Sequence, residues 1–141
     1  MSEAARVLHL FRAAKKRSPM EELAEANVVA GAGFDGCAHA RPGGKRQVLL
    51  MDVETLRAMD LAPGIVRENI TTEGLNLHAL RPGQTLHVGG AELEVSLVCE
   101  LLMEGIRTGL RQELVGRRGM LCRVLRGGTV RQGDPIRLSA V

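Results

Sequence analysis

The chain has 141 residues, 45% of them apolar and 25% charged, with a formal net charge of +3. That length fits a single domain over 1–141, with a core large enough to need no disulfide or metal staple. Only two residues are aromatic, Phe11 and Phe34, so the stacking platforms of single-strand nucleic-acid binders are missing and no nucleic-acid partner is expected. The basic residues point instead to a small anion or to a solvated surface.

Three cysteines, Cys37, Cys99 and Cys122, are odd in number and far apart, unlike the framework of a secreted disulfide protein. No apolar run approaches the roughly 20 residues of a membrane span, so no membrane partner is expected. The opening "MSEAARVLHLFRAAKKRSP" places its apolar stretch before its bases. A signal peptide has the reverse order, so a mature, cytoplasmic protein is expected.

In chain order, 6–11 reads as a first strand and 15–19 as a polar loop. Residues 19–26 read as one helical turn or a loop, and 27–33 as a strand running into glycines. Residues 46–51 are apolar enough for a strand buried on both faces. Asp52 can cap a short helix over 53–59, which ends before the Ala-Pro-Gly at 62–64. Residues 65–70 read as a strand leading to Thr71 and Thr72. Arg81-Pro82-Gly83 is a turn before a strand over 84–89. Over 91–98, Leu93, Val95 and Leu97 alternate with Glu92, Glu94 and Ser96, which predicts one buried and one wet face. Leu102, Ile106, Leu110 and Leu114 recur every fourth residue and predict a helix over about 100–115. A strand over 119–125, a hairpin turn at 126–129, a turn at 132–135 and a last strand at 136–140 close the chain. The sum is a mainly β, barrel-like domain with one or two helices.

Three stretches offer chemistry. Cys99 lies where a strand is expected to meet a helix, a place where backbone N–H groups lower a thiol's pKa. Glu100 and Glu104 oppose that effect, and a small buried hydrophobe is the other reading of this cysteine. In "VRENITTEGLNL" (66–77) several hydrogen-bonding side chains end an apolar strand. Strand alternation puts Arg67, Asn69 and Thr71 on one side, able to grip an anionic ligand, and Glu68 on the other. A turn fixed by Asn and Thr side chains is the alternative. In "GCAHARPGGKRQ" (36–47), Cys37 and His39 supply two soft donors. Zinc needs more, and His9, His78 and His87 form no paired motif. "GAGFDG" (31–36) has the letters of a dinucleotide loop without the strand–helix context it requires.

Taken together, "SPM", "VVAGAGFDGCAHA", "RQVLLMDVETL", "VRENITTEGLNLHALRPGQTLHVGGAELEVSLVC" and "RRGMLCRVLRGGTVRQGDPI" resemble, in order, the MOSC domains. That family is named after the C-terminal domain of molybdenum cofactor sulfurases. The resemblance implies a MOSC-type β-barrel. It also implies one functional cysteine, here Cys99, carrying sulfur as a persulfide or ligating molybdenum in a bound molybdopterin cofactor. A thiolate is both a sulfur nucleophile and a soft ligand. His39, Arg46, Arg67, Glu68, Asn69 and Thr71 would then shape the cofactor pocket. The chain departs from the family at three positions: Val98 where a proline often precedes the cysteine, Cys37 where an aspartate is common, and Arg41 where glycine is typical.

The partners implied are the molybdopterin cofactor, a sulfur donor such as a cysteine desulfurase, and an electron-transfer protein. The last would serve a molybdoenzyme that reduces N-hydroxylated compounds, a second function the resemblance allows. No flavin, haem or iron–sulfur motif is visible in the chain for that purpose. A third function is a non-catalytic domain that binds an anionic ligand on the same fold.

Overall fold

A computed structural model describes residues 5–16, 18–37, 43–44, 46–98 and 119–139. They form eleven strands: β1 Arg6–Arg12, β2 Glu21–Leu23, β3 Glu25–Val29, β4 Gly33–Phe34, β5 Val48–Asp52, β6 Ile70–Glu73, β7 Thr85–Val88, β8 Ala91–Val98, β9 Met120–Arg126, β10 Gly128–Arg131 and β11 Ile136–Leu138. One short helix, α1 Val53–Ala58, follows β5, and a 3-10 turn covers Leu77–Ala79. The mainly β expectation is met. The helix expected over about 100–115 lies outside the described residues.

Eight strands form one sheet in the order β11-β7-β8-β9-β5-β6-β1-β2, and β10-β3-β4 form a second. Among the described residues the ladders do not close into a barrel, which corrects that part of the expectation. The two flanks nevertheless meet through the turn before β11. Val7 donates its N–H to the Asp134 carbonyl at 2.8 Å, Gly133 donates to the Val7 carbonyl at 2.7 Å, and Ile136 donates to the Ala5 carbonyl at 2.9 Å. These bonds satisfy strand-edge groups that would otherwise be exposed for pairing with another chain. Turn backbone therefore supplies the seam that a continuous ladder would supply in a closed barrel.

The core is aliphatic, as an almost aromatic-free composition requires. Val7, Leu10, Val48, Leu50, Ile70, Leu86, Val88, Leu93 and Val95 are buried within one cluster. Each such side chain contributes about 1.5–3 kcal/mol of transfer free energy. The alternation read in β8 holds where its side chains are described: Leu93 and Val95 are buried, and Glu92, Glu94 and Ser96 half-buried. β5 separates two apolar regions. Val48 and Leu50 belong to the main core, while Met51 packs with Leu56 and Val66 in a smaller cluster. Asp52 caps α1 as read, its Oδ2 accepting the Thr55 N–H at 3.0 Å.

Four local expectations change. Residues 19–26 are neither helix nor loop, because β2 pairs with β1 and β3 follows at once. Pairing with the edge of β1, which also carries the Arg12–Glu21 ion pair and the His9–Glu22 hydrogen bond, outweighs the helical leaning of Glu-Glu-Leu. The second strand stops at Val29, and the glycines turn the chain into the two-residue β4. Residues 63–66 form a turn, 67–69 are irregular, and the strand starts only at Ile70. Residues 126–129 are no hairpin, since β9 and β10 lie in different sheets and β10 pairs with β3. A Cβ at Gly128 would collide with the Gly90 carbonyl, so glycine lets the chain cross there.

Candidate functional site

β5 and β6 are parallel neighbours, with Leu50 opposite Ile70, Met51 opposite Thr71 and Asp52 opposite Thr72. The connection between them runs through α1 and the 60–69 segment, which arrives at β6 through a strained turn. Arg67 has φ of 63°, a left-handed conformation that a side-chain-bearing residue rarely adopts. Its Nη1 donates to the Ser18 carbonyl at 2.7 Å. Its Nη2 is buried without a partner.

Glu68 is fully buried. Its Oε2 accepts the Gly64 N–H at 2.9 Å and the Thr71 hydroxyl at 2.7 Å. Oε1 is buried with no partner. Burial pushes the Glu68 carboxyl above its ordinary range, against the opposing pull of the hydrogen bonds from Gly64 and Thr71. In the neutral form the proton sits on Oε1, because Oε2 already accepts two bonds, and Oε1 becomes a donor.

The left-handed turn overturns the expected division of faces. Glu68 and Thr71 are brought together by a direct hydrogen bond, while the Asn69 side chain is held elsewhere. Its Oδ1 accepts the Leu49 N–H at 3.0 Å, and its Nδ2 donates to the Phe11 carbonyl at 3.2 Å and to Cys37 Sγ at 3.5 Å. Asn69 thereby ties β1, β5 and the glycine turn to one another. Cys37 Sγ also accepts the Ala13 N–H at 3.4 Å. Two N–H donors converge on a position where a carboxylate would serve equally well as acceptor.

Arg46 is exposed at the entry to β5, with no hydrogen bond to residues 67–71. His39 and Cys99 lie outside the described residues. The last residue of β8 is in register with Met120 of β9, which is in register with Leu50 of β5, itself opposite Ile70. β5, β6 and β8 run the same way, and β8 ends level with the middle of β5 and the first residue of β6, beside the turn that carries Arg67 and Glu68. Cys122, by contrast, is fully buried in the core, and burial together with nearby Glu94 pushes its thiol up to about 12. It is inert at neutral pH.

One group of polar residues was not singled out in the sequence. Asp52 Oδ1, Thr72 Oγ1 and His78 Nε2 are all buried without hydrogen-bond partners. His78 Nδ1 lies 3.7 Å from Asp52 Oδ1, too far for a hydrogen bond. Asp52 signalled itself only as a helix cap. Its neighbours depend on strand register and on the 3-10 turn that carries His78, which no local pattern encodes.

The architecture and these polar groups define a small mainly β domain with a parallel β5–β6 pair and a strained polar turn ahead of β6. The MOSC domain family model matches residues 41–101. The resemblance to MOSC domains carried by the sequence motifs is thereby borne out. No curated protein sequence matches the chain. Among solved structures, the YuaD protein of Bacillus subtilis is similar with a TM-score of 0.78 at 20% identity, covering 95% of this chain and 94% of that one. YiiM of Geobacillus stearothermophilus gives 0.69 at 17%, covering 96% and 75%. YiiM of Escherichia coli gives 0.67 at 18%, covering 100% and 71%. At these identities the likeness is one of fold.

Proposed function

We propose that the chain binds a molybdenum cofactor or carries sulfur, with Cys99 as the molybdenum ligand or persulfide carrier and Arg67 and Glu68 as the polar grip on the ligand. The observation that carries this reading is the pair of buried, partnerless atoms, Arg67 Nη2 and Glu68 Oε1, on a left-handed turn. Leaving such atoms unmet costs about 1–3 kcal/mol each, and strain of this kind gathers where a ligand is held. The turn also lies inside the stretch matched by the MOSC model.

The residues fit the cofactor's chemistry. A guanidinium with a free Nη2 suits a phosphate, and a carboxyl with a free oxygen suits the polar edge of a pterin. Asn69 and Thr71 act as positioning residues in this reading, because their side chains bond to Leu49, Phe11, Cys37 and Glu68. His39 and Arg46 complete the pocket's edge. When bound, the metal supplies a soft acceptor for a thiolate. In the sulfur-carrier form, the Cys99 thiolate attacks the outer sulfur of a donor persulfide. The donor's S–S bond breaks, the donor leaves as a thiolate, and Cys99 holds the sulfane sulfur.

The test is Arg67→Ala against Arg67→Lys, each purified from a cofactor-producing host. Arg67→Ala should lose at least roughly tenfold of the bound pterin while Arg67→Lys keeps part of it, as a desolvated charge contact requires. Equal pterin content in the wild type and both variants would contradict the assigned grip.

A further inference from the structure

We propose that Asp52, Thr72 and His78 form a binding site for a divalent metal ion of the zinc type, at the rim where β5 and β6 end. Two buried partnerless oxygens, Asp52 Oδ1 and Thr72 Oγ1, lie on paired strand residues here, and the His78 ring stands beside them with its Nδ1 toward Asp52 Oδ1. Thr72 is fully buried and Asp52 nearly so. Buried polar atoms left unmet by protein are ordinarily met by water, an ion or a ligand.

The carboxylate is already oriented. Thr55 donates both its N–H and its hydroxyl to Asp52 Oδ2, at 3.0 and 2.6 Å, which fixes the group and leaves Oδ1 free. Pinning a ligand's second oxygen in this way is a usual feature of metal sites. His78 makes no hydrogen bond through either ring nitrogen among the described residues. Its Nδ1 stands 3.7 Å from Asp52 Oδ1, and two donors that far apart subtend roughly 120° at an ion about 2.1 Å from each, close to tetrahedral. Thr72 faces Asp52 across the parallel ladder and adds an oxygen. One imidazole with two oxygens favours zinc over magnesium or calcium. No three His, Cys, Asp or Glu side chains gather among the described residues, so the site is open, with water completing the ion's shell.

The site contains no cysteine and stands apart from the cofactor reading. The test is calorimetric titration of the Cys99→Ser chain with zinc chloride, which removes that thiol as a competing ligand, joined to zinc X-ray absorption. One equivalent should bind, with a shell of nitrogen and oxygen. Asp52→Asn and His78→Gln should each weaken it roughly tenfold or more, and Thr72→Val should weaken it while Thr72→Ser does not. Asn still caps α1, so Asp52→Asn keeps the fold, and the unfolding temperature checks each variant. No stoichiometric binding, binding unchanged in His78→Gln, or a sulfur-containing shell would overturn the site.

Discussion

Cys37 accepts N–H groups from Ala13 and Asn69 at once, and an aspartate carboxylate has the lone pairs to accept both. Cys37→Asp should therefore fold with wild-type cooperativity. Cys37→Val should lose about 1–3 kcal/mol in urea unfolding, because it leaves two buried donors unmet. Glu68 makes a different prediction, one of pH. Its folded-state pKa lies above the ordinary 4.5 because burial disfavours the charge. Its stabilising contribution is thus complete below about pH 4.5 and declines as pH rises through the folded value. Glu68→Gln does not titrate, so its stability relative to wild type should rise between about pH 4 and pH 8. A difference flat across that range would mean that burial does not raise the Glu68 carboxyl in the folded chain. Both residues could be named from the sequence, but their surroundings could not. The strand reading placed Glu68 and Thr71 on opposite faces, and the left-handed Arg67 joins them. That conformation is imposed from a distance, by Ser18 on the Arg67 guanidinium and by Leu49 and Phe11 on Asn69.

At the scale of elements, period and capping were legible and partners were not. The alternation of β8, the uninterrupted apolar run of β5 and the Asp52 cap of α1 are local signals that local physics converts directly into structure. β2 and the sheet change between β9 and β10 are not local. The Glu-Glu-Leu of β2 becomes a strand only because β1 offers it an edge with Arg12 and His9 to pair. Gly127 and Gly128 look like a turn in sequence, yet they pass the chain from one sheet to the other beneath Val28 and Gly90. Gly128→Ala should therefore cost about 2 kcal/mol or more, since the obstacle is backbone and cannot swing aside. A loss below about 0.5 kcal/mol in equilibrium unfolding, the size of an ordinary surface change, would show that the crossing has room to spare.

Across the whole molecule, an aliphatic core is wrapped by an eight-stranded sheet whose flanks are joined by turn backbone. β8 ends level with the first residue of β6, and Val98, the last residue of β8, is followed in sequence by Cys99. The sequence pointed to Cys99 through the motifs around it, and to Arg67 and Glu68 as polar residues ending an apolar strand. It gave no sign of the Asp52–Thr72–His78 group, which depends on the parallel register and on the 3-10 turn that carries His78. The central claim is that Cys99 is the working thiol. It is tested most directly by purifying wild type, Cys37→Asp and Cys99→Ser from a cofactor-producing host and measuring molybdenum and cyanide-releasable sulfur in each. Wild type and Cys37→Asp should carry one or the other, and Cys99→Ser should carry neither. Equal loading of Cys99→Ser, or no loading of the wild type, would contradict the account.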